Sequence, residues 1–276
     1  MRKTFALFLL VLPRFVFAQI SGDALELQKR YADSLFNAEN YYQAITEYKR
    51  LAFFDYAKKY AYDINYKIAL AYKEGGFYDN AESYFKRAVE CAENIEQKEK
   101  AQIEAVKNFI LARKTDDALN YLDELESAGE DESEINYWRG WAHLFAGRLN
   151  LSARYFYLAD KNQTLARQVD TYADSLYSVS NVKLLSYIIP GAGQIYVGEY
   201  FSGLMSFAWN ALWIYVTANA FADGRIIEGF LVGDLLWLRF YRGNIQNAER
   251  FANEKNVKLL NRLLGNLQRN YRGEKP

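Results

Sequence analysis

The chain has 276 residues, of which 51% are hydrophobic and 17% are aromatic, and it carries 34 basic and 34 acidic side chains. This length allows one large domain or two modest ones, each with its own core. The single cysteine excludes an internal disulfide, and the single histidine argues against a histidine-based metal site or a catalytic triad. The charge is unevenly placed, because residues 19–183 hold 21 basic and 27 acidic side chains while residues 239–276 hold 9 basic and 3 acidic ones.

Residues 1–18, MRKTFALFLLVLPRFVFA, have the order of a secretory signal peptide. A basic start is followed by an apolar stretch and by small residues before a cleavage site. The apolar stretch is too short to span a bilayer, which takes about 20 residues. We expect cleavage after Ala18 and transport across the inner membrane, which would place the residues that follow in the periplasm. The alternative is an uncleaved anchor or a buried helix.

A repeated pattern follows, and it is clearest in residues 64–90, INYKIALAYKEGGFYDNAESYFKRAVE. The first small residue of the second helix in each repeat lies at positions 44, 81, 118 and 152, so that the repeats are spaced close to 34 residues. Residues 22–178 therefore resemble a tetratricopeptide array of about four repeats, in which small residues lie where two helices meet and aromatic side chains fill the spaces. The predicted packing residues are Ala44, Ala69, Gly76, Ala81, Phe85, Ala88, Ala118, Gly140, Gly147, Ser152, Phe156 and Ala159.

The resemblance implies helix pairs stacked into a superhelix, one face of which binds a protein or peptide. No proline occurs between Pro13 and Pro190, which suits a long run of packed helices. Residues 41–78 contain nine tyrosines, a residue type that gives a large contact area at low entropic cost. These rings form a binding surface or, alternatively, pack between the helices.

The composition changes after residue 180. Residues 201–221 contain no charged side chain and are long enough to cross a bilayer, and residues 226–240 form a second apolar segment that carries Glu228 and Asp234. A charge at such a depth costs about 2.5–3.5 kcal/mol unless it faces a partner or water. We therefore expect Asp234 to face the first helix or a wet cavity, and we predict a membrane-embedded domain of two helices over residues 184–243.

The segment SYIIPGAGQIYVGEYFSG, residues 186–203, precedes the first of these helices. It resembles the Pro-Gly-x-Gly-Gln-x-Tyr-x-Gly signature of a family of small two-helix bacterial transmembrane domains. We interpret it as a tight turn at the bilayer surface, where glycines allow close backbone approach and glutamine satisfies freed backbone groups. A phosphate-binding loop is excluded, because the glycine spacing and the Gly-Lys-Ser/Thr ending are absent. The matching residues are Pro190, Gly191, Gly193, Gln194, Tyr196 and Gly198.

Residues 244–276 predict a basic amphipathic helix. It could lie on an anionic lipid surface, contact a partner or dock onto the chain's own array. A periplasmic array followed by a two-helix hairpin would leave this basic tail in the periplasm, whereas the positive-inside tendency prefers it in the cytoplasm. The family resemblance favours the hairpin.

No set of residues in the sequence forms a catalytic or metal-binding site, and His143 suits a packing role in a repeat helix. We expect no cofactor, and the acidic array disfavours nucleic acid. The sequence thus predicts an all-α chain, made of a tetratricopeptide-like solenoid, a transmembrane hairpin and an amphipathic C-terminal helix. The predicted function is a non-enzymatic membrane-anchored scaffold or envelope assembly factor with protein, peptide and membrane lipid as partners. The alternative is an accessory subunit of a transport or secretion complex, in which the membrane domain is the working part.

Overall fold

The computed structural model describes residues 22–159 and 163–276. The predicted signal peptide, residues 1–18 with cleavage after Ala18, lies outside the described residues and stays a prediction. Every regular element of the described residues is a helix, which confirms the all-α class. Consecutive helices pack against each other within each part of the chain, as they do in a helical repeat.

The chain divides into two compact units, one ending at Ala112 and the other beginning at Arg113. The first five helices belong to the first unit. The next three helices, which belong to the second unit, continue the alternation of helix pairs along the sequence. These eight helices are α1 (Gly22–Asn37), α2 (Tyr41–Phe54), α3 (Ala61–Glu74), α4 (Tyr78–Glu90), α5 (Ile95–Leu111), α6 (Thr115–Ser127), α7 (Glu132–Phe145) and α8 (Leu149–Leu158).

The turn inside each helix pair has one recurring backbone conformation. In the pairs α1–α2, α3–α4 and α7–α8, a residue with positive φ ends the first helix, and the next residue donates its N–H to the carbonyl five positions earlier, as Phe77 does to Tyr72 at 2.8 Å. This arrangement is the Schellman motif, which satisfies carbonyls that the helix end leaves unpaired. The residues with positive φ are Glu39 (61°), Gly76 (78°), Arg113 (58°) and Gly147 (73°).

Five positions after each of these residues lies a small side chain, and in the pairs α1–α2, α3–α4 and α7–α8 it begins the contact with the preceding helix. Ala44, Ala81, Ala118 and Ser152 are all fully buried. Ser152 also bonds to the preceding helix, because its hydroxyl donates to the Gly140 carbonyl oxygen at 2.8 Å. The other predicted packing residues of the array with a side chain, Ala69, Phe85, Ala88, Phe156 and Ala159, are also fully buried.

The rest of the second unit is built around one long helix, α14, which has 33 residues. It packs against α10, α11, α12 and α9. The helix runs without interruption through position 244, the first residue of the predicted basic tail. The elements are α9 (Gln163–Ala173), α10 (Val179–Ile188), α11 (Ala192–Tyr196), α12 (Tyr200–Ala222), α13 (Ile226–Leu231), a π-helical segment (Val232–Trp237) and α14 (Leu238–Asn270).

The C-terminal end of α14 docks onto the chain's own repeat helices. Leu263 and Leu267 are buried, and the Tyr271 hydroxyl lies 2.9 Å from the hydroxyl of Tyr137 on α7. The Tyr271 ring also lies 6.0 Å from the ring of Trp141. Of the three placements that the sequence allowed for this helix, the structure has the intramolecular one.

The predicted transmembrane hairpin is not found. Among the helices of the described residues, none combines the length and the apolar character needed to cross a membrane. Helix α12 is uncharged and has 23 residues, but Asn210 and Asn219 reduce its hydropathy. The second arm is divided into the six residues of α13 and a six-residue π-helical segment, and it contains Glu228 and Asp234. The absence of charge in residues 201–221 therefore does not make this segment apolar enough to span a membrane.

Gly140 provides a test of the helix packing. A Cβ atom at this position would lie 2.6 Å from the ring of Phe156, so we expect Gly140→Ala to destabilise the chain by about 1–3 kcal/mol through overpacking. Gly265 is a matched control, because it is also helical but its nearest neighbour would be the flexible Arg269 side chain at 3.5 Å. Gly265→Ala should raise stability by up to about 1 kcal/mol. Thermal unfolding followed by circular dichroism measures both, and equal effects would contradict the packing.

Candidate functional site

The glycines of the sequence motif lie where backbone segments approach closely. Gly191 has a φ of 93°, and a Cβ atom there would lie 2.1 Å from the carbonyl oxygen of Gly203. A Cβ atom at Gly193 would lie 2.2 Å from the Ser186 hydroxyl and 2.4 Å from the Val182 carbonyl oxygen. Only glycine fits at these positions, and the backbone of α11 therefore approaches the backbones of α10 and α12 closely.

Gln194 of the motif is fully buried and belongs to a hydrogen-bond network with Asn244 of α14. The Gln194 amide donates to the backbone oxygen of Asn244 at 3.0 Å and to its side-chain oxygen at 2.8 Å. The same side-chain oxygen accepts from the Gly191 N–H at 2.8 Å, and the Asn244 amide donates to the Ser186 carbonyl at 3.3 Å. Asn244 therefore ties three helices together.

The remaining motif residues shape the turns on either side. Pro190 follows the end of α10, and Gly198, with a φ of 80°, ends α11 in the same conformation as the turns of the array. The Tyr196 ring is half exposed and lies 5.8 Å from the ring of Tyr177. The motif thus provides packing and a polar network rather than a reactive group.

Sequence reasoning missed Asn244. It placed this residue at the start of a polar tail, whereas the side chain is 3% exposed. The signal was its position on the stripe that also contains Ala248 and Ala252, both fully buried and one helical turn apart. A single amide on such a small-residue stripe indicates a buried hydrogen-bond partner.

Large apolar side chains remain exposed around most of α12. Each residue of a helix is rotated by about 100° from the one before it, so that the exposed positions cover about two thirds of the circumference. Contiguous apolar surface of this extent marks an interaction site. On α13, Ile227 and Phe230 are 78% and 67% exposed. The exposed apolar residues of α12 are Tyr200, Phe201, Leu204, Met205, Phe207, Trp209, Leu212, Ile214, Tyr215 and Phe221.

The two predicted intramembrane acids lie in different surroundings. Glu228 is exposed near the tip of the hairpin formed by α12 and α13, where it accepts from Arg225 at 2.7 Å. Asp234 lies in the π-helical segment and lines a cleft of about 810 Å³ together with residues of α12 and α14. Asp234 forms no hydrogen bond or ion pair within residues 22–159 and 163–276.

The first unit contains a basic groove of about 340 Å³ between α2, α3 and α4. Lys49 lines the groove and donates to the Tyr72 hydroxyl at 3.1 Å, and Arg87 stacks on the Tyr84 ring. Lys58 also lines the groove. The groove's acid, Asp55, is 5% exposed and accepts from two backbone N–H groups, so its charge is turned inward.

The tyrosines of residues 41–78 divide between core and surface. Tyr48, Tyr60, Tyr62 and Tyr66 are buried, whereas Tyr42 is 85% exposed. The Tyr48 hydroxyl donates to Asp33 at 2.6 Å, and burial together with this contact raises the pKa of the phenol. Packing between helices therefore accounts for several of the rings, and the aromatic residue that lines the groove is Tyr84, whose ring lies 5.7 Å from that of Tyr72.

His143 is 6% exposed and stacks on the ring of Tyr155 at 5.2 Å. Burial, with the nearby charges of Arg148 and Arg139, lowers the pKa of this histidine. Its Nδ1 atom is buried and has no hydrogen-bond partner among the described residues. The structure thus places His143 in the packing of the fourth helix pair.

Comparison of the chain with models of protein families, with curated proteins and with solved structures gave no match. The described residues also contain no group of three or more histidine, cysteine, aspartate or glutamate side chains placed to hold a metal ion. The candidate sites are therefore argued from their geometry: the basic groove, the apolar hairpin and the cleft at its base.

Asn244 provides a test of the motif network. Asn244→Ala leaves the Gly191 N–H, the Gln194 amide and the Ser186 carbonyl without this partner, and each buried unpaired group costs about 1–3 kcal/mol. We expect a loss of at least about 2 kcal/mol in unfolding free energy. The control Asn253→Ala, on an exposed position of the same helix, should change it by less than about 0.5 kcal/mol. Similar unfolding midpoints for the two variants would contradict the network.

His143 predicts a pH dependence of stability. Its folded pKa lies below the ordinary value of 6.5, so that the unfolded chain takes up a proton first as the pH falls below 6.5. Stability from this group is therefore present above pH 6.5 and is lost below it. His143→Phe keeps a ring against Tyr155 and should flatten the change in unfolding midpoint between pH 7.5 and pH 5.5. An unchanged slope would refute the assignment, since this is the chain's only histidine.

Proposed function

We propose that this chain is a non-enzymatic scaffold, whose first unit captures an acidic segment of a partner protein and whose hairpin of α12 and α13 holds it at a lipid surface. The observation that carries the proposal is the pairing of a basic, aromatic groove with a hairpin that presents apolar side chains outward. If the signal peptide is functional, the lipid surface is that of the inner membrane, with the helix pairs in the periplasm.

The groove suits an acidic peptide. Lys58 and Arg87 form no ion pair within the described residues, and Asp55 is engaged by backbone N–H groups. A glutamate or aspartate would therefore find two available cations and the ring of Tyr84 beside them. Charge complementarity of this kind gives specificity and fast association.

The hairpin suits lipid for a geometric reason. A flat protein surface covers about half of a helix, whereas the exposed apolar side chains of α12 extend over about two thirds of its circumference, and α13 adds its own. Acyl chains can cover such a surface from all sides. We propose a hairpin inserted in one surface of the bilayer, with the ion-paired Arg225 and Glu228 at its tip.

One feature favours the second function, an accessory subunit in which the hairpin domain is the working part. The cleft at the base of the hairpin contains polar side chains that no other described residue satisfies. A domain that served only as an anchor would have no use for them.

Peptide binding tests the groove. We expect a fluorescein-labelled peptide with several glutamates around a tyrosine to bind the detergent-solubilised chain. The double variant Lys58→Glu/Arg87→Glu should weaken binding about tenfold or more, because each exposed ion pair contributes about 0.2–1 kcal/mol and each reversal adds repulsion. Lys86→Glu is the control, as it is exposed beside the groove without lining it. Fluorescence anisotropy measures the affinities, and equal loss in the control would leave the groove without a role.

Vesicle flotation tests the hairpin. The chain should float with phosphatidylcholine vesicles, and Phe207→Glu/Ile227→Glu should reduce the bound fraction at least tenfold, because burying a charge in lipid is costly. Tyr42→Glu, the control, removes an 85% exposed ring from α2 and should have no effect. Circular dichroism checks that each variant keeps its helix content. If the hairpin variant floats as well as the control does, the lipid contact is wrong.

A further inference from the structure

The cleft at the base of the hairpin lies between the first half of α12 and the junction of the π-helical segment with α14. Its volume is about 810 Å³, enough for a small polar molecule. Polar and aromatic side chains from both arms line it, and among them are Ser206, Trp209, Asn210, Asp234, Arg239 and Arg242.

Asn210 is the most informative of these residues. Its side chain is 2% exposed, and its amide nitrogen donates to the Ser206 carbonyl at 2.8 Å. This bond fixes which end of the amide is oxygen, since a flipped amide would bring two acceptors together. The remaining Oδ1 atom is buried without a hydrogen-bond partner among the described residues. A buried acceptor of this kind reduces stability unless something donates to it.

The cleft also contains charges of both signs that are not neutralised. Arg239 and Arg242 are exposed, lie three residues apart on one face of α14 and form no ion pair within the described residues. Asp234, on the arm before them, is likewise without a partner. Two guanidinium groups form a good phosphate site, because their donors match the geometry of phosphate oxygens.

An apolar wall completes the cleft. The ring of Trp209 stacks on Phe240 at 5.9 Å, and Phe201, Met205 and Leu238 line the same space. A bare inorganic anion would satisfy the arginines but would offer no apolar contact to this wall. A cation would be repelled by the two arginines. The lining therefore selects a ligand with an anionic group, hydrogen-bond donors and some apolar surface.

We propose that this cleft binds a phosphate ester bearing hydroxyl groups, with the phosphate on Arg239 and Arg242, one hydroxyl donating to Asn210 Oδ1 and another donating to Asp234. A glycerophosphate headgroup of a lipid and free glycerol 3-phosphate share this chemistry. In its lipid form the proposal deepens the proposed lipid contact and rests on it.

The test measures unfolding midpoints of the full chain in a nonionic detergent. Short-chain phosphatidylglycerol should raise the midpoint saturably, and short-chain phosphatidylcholine, whose headgroup has no donor, should not. Arg239→Gln/Arg242→Gln should weaken the apparent affinity at least tenfold. Arg250→Gln/Arg262→Gln removes the same charge from exposed positions of the same helix outside the cleft and should leave the affinity within about twofold. Equal loss in both double variants, or equal shifts with both lipids, would overturn the proposal.

Asn210→Leu separates a binding role from a structural one. It replaces the unpartnered acceptor by an apolar group of similar size, so the variant without ligand should unfold at the same or a higher temperature. It should nevertheless lose most of the shift caused by phosphatidylglycerol. A variant that keeps the full shift would overturn the role of Asn210.

A parallel titration with glycerol 3-phosphate in detergent distinguishes the sources. If glycerol 3-phosphate raises the unfolding midpoint and Arg239→Gln/Arg242→Gln removes this rise, the ligand of the cleft is a free phosphate ester. This conclusion holds even if the chain fails to float with vesicles. A shift with the lipid alone would assign it to the headgroup. No shift with either ligand would overturn the site while leaving the hairpin's contact with phosphatidylcholine vesicles standing.

Discussion

The rest of the structure depends on one turn, in which a left-handed residue ends a helix and a small residue five positions later meets that helix. Besides the turns of the pairs α1–α2, α3–α4 and α7–α8, the described residues have this arrangement at Gly198 and at Gly224, with φ of 80° and 74°. There the small residues are Gly203 and Gly229, and each begins its helix by donating to the carbonyl four residues earlier. One backbone device thus builds the repeat pairs and the hairpin.

The small residue decides how closely the two helices approach. In the repeat pairs, alanine or serine occupies this position at full burial. Between α11 and α12, a Cβ atom at Gly203 would lie 2.6 Å from Ile195. Between α12 and α13, one at Gly229 would lie 2.8 Å from the ring of Phe221. The hairpin is therefore packed more tightly than alanine would permit, and this close approach leaves most of the circumference of α12 turned outward.

The repeat pairs could be predicted from the sequence because their signal is local: the turn and its small residue lie within six positions of each other. The prediction of a membrane span rested on the absence of charges and did not weigh the polarity of Asn210 and Asn219 or the π-helical segment between α13 and α14. The Gln194–Asn244 network joins residues 50 positions apart, so no local pattern contained it. The cleft depends on the same long-range packing.

The domain that contains the hairpin has polar side chains in its interior and large apolar side chains on its surface, the opposite of an ordinary soluble domain. Its buried positions include Gln194, Asn210 and Asn244, while Ile227 on its outside is 78% exposed. Burial of polar groups is costly unless they are bonded, and exposure of apolar side chains to water forgoes about 25 cal/mol for each Å² that could be buried. Both costs are reduced together if apolar material covers the outside and a polar ligand reaches the inside. A phosphate ester on an acyl chain combines these two properties, which is why the apolar hairpin and the polar cleft are best explained together.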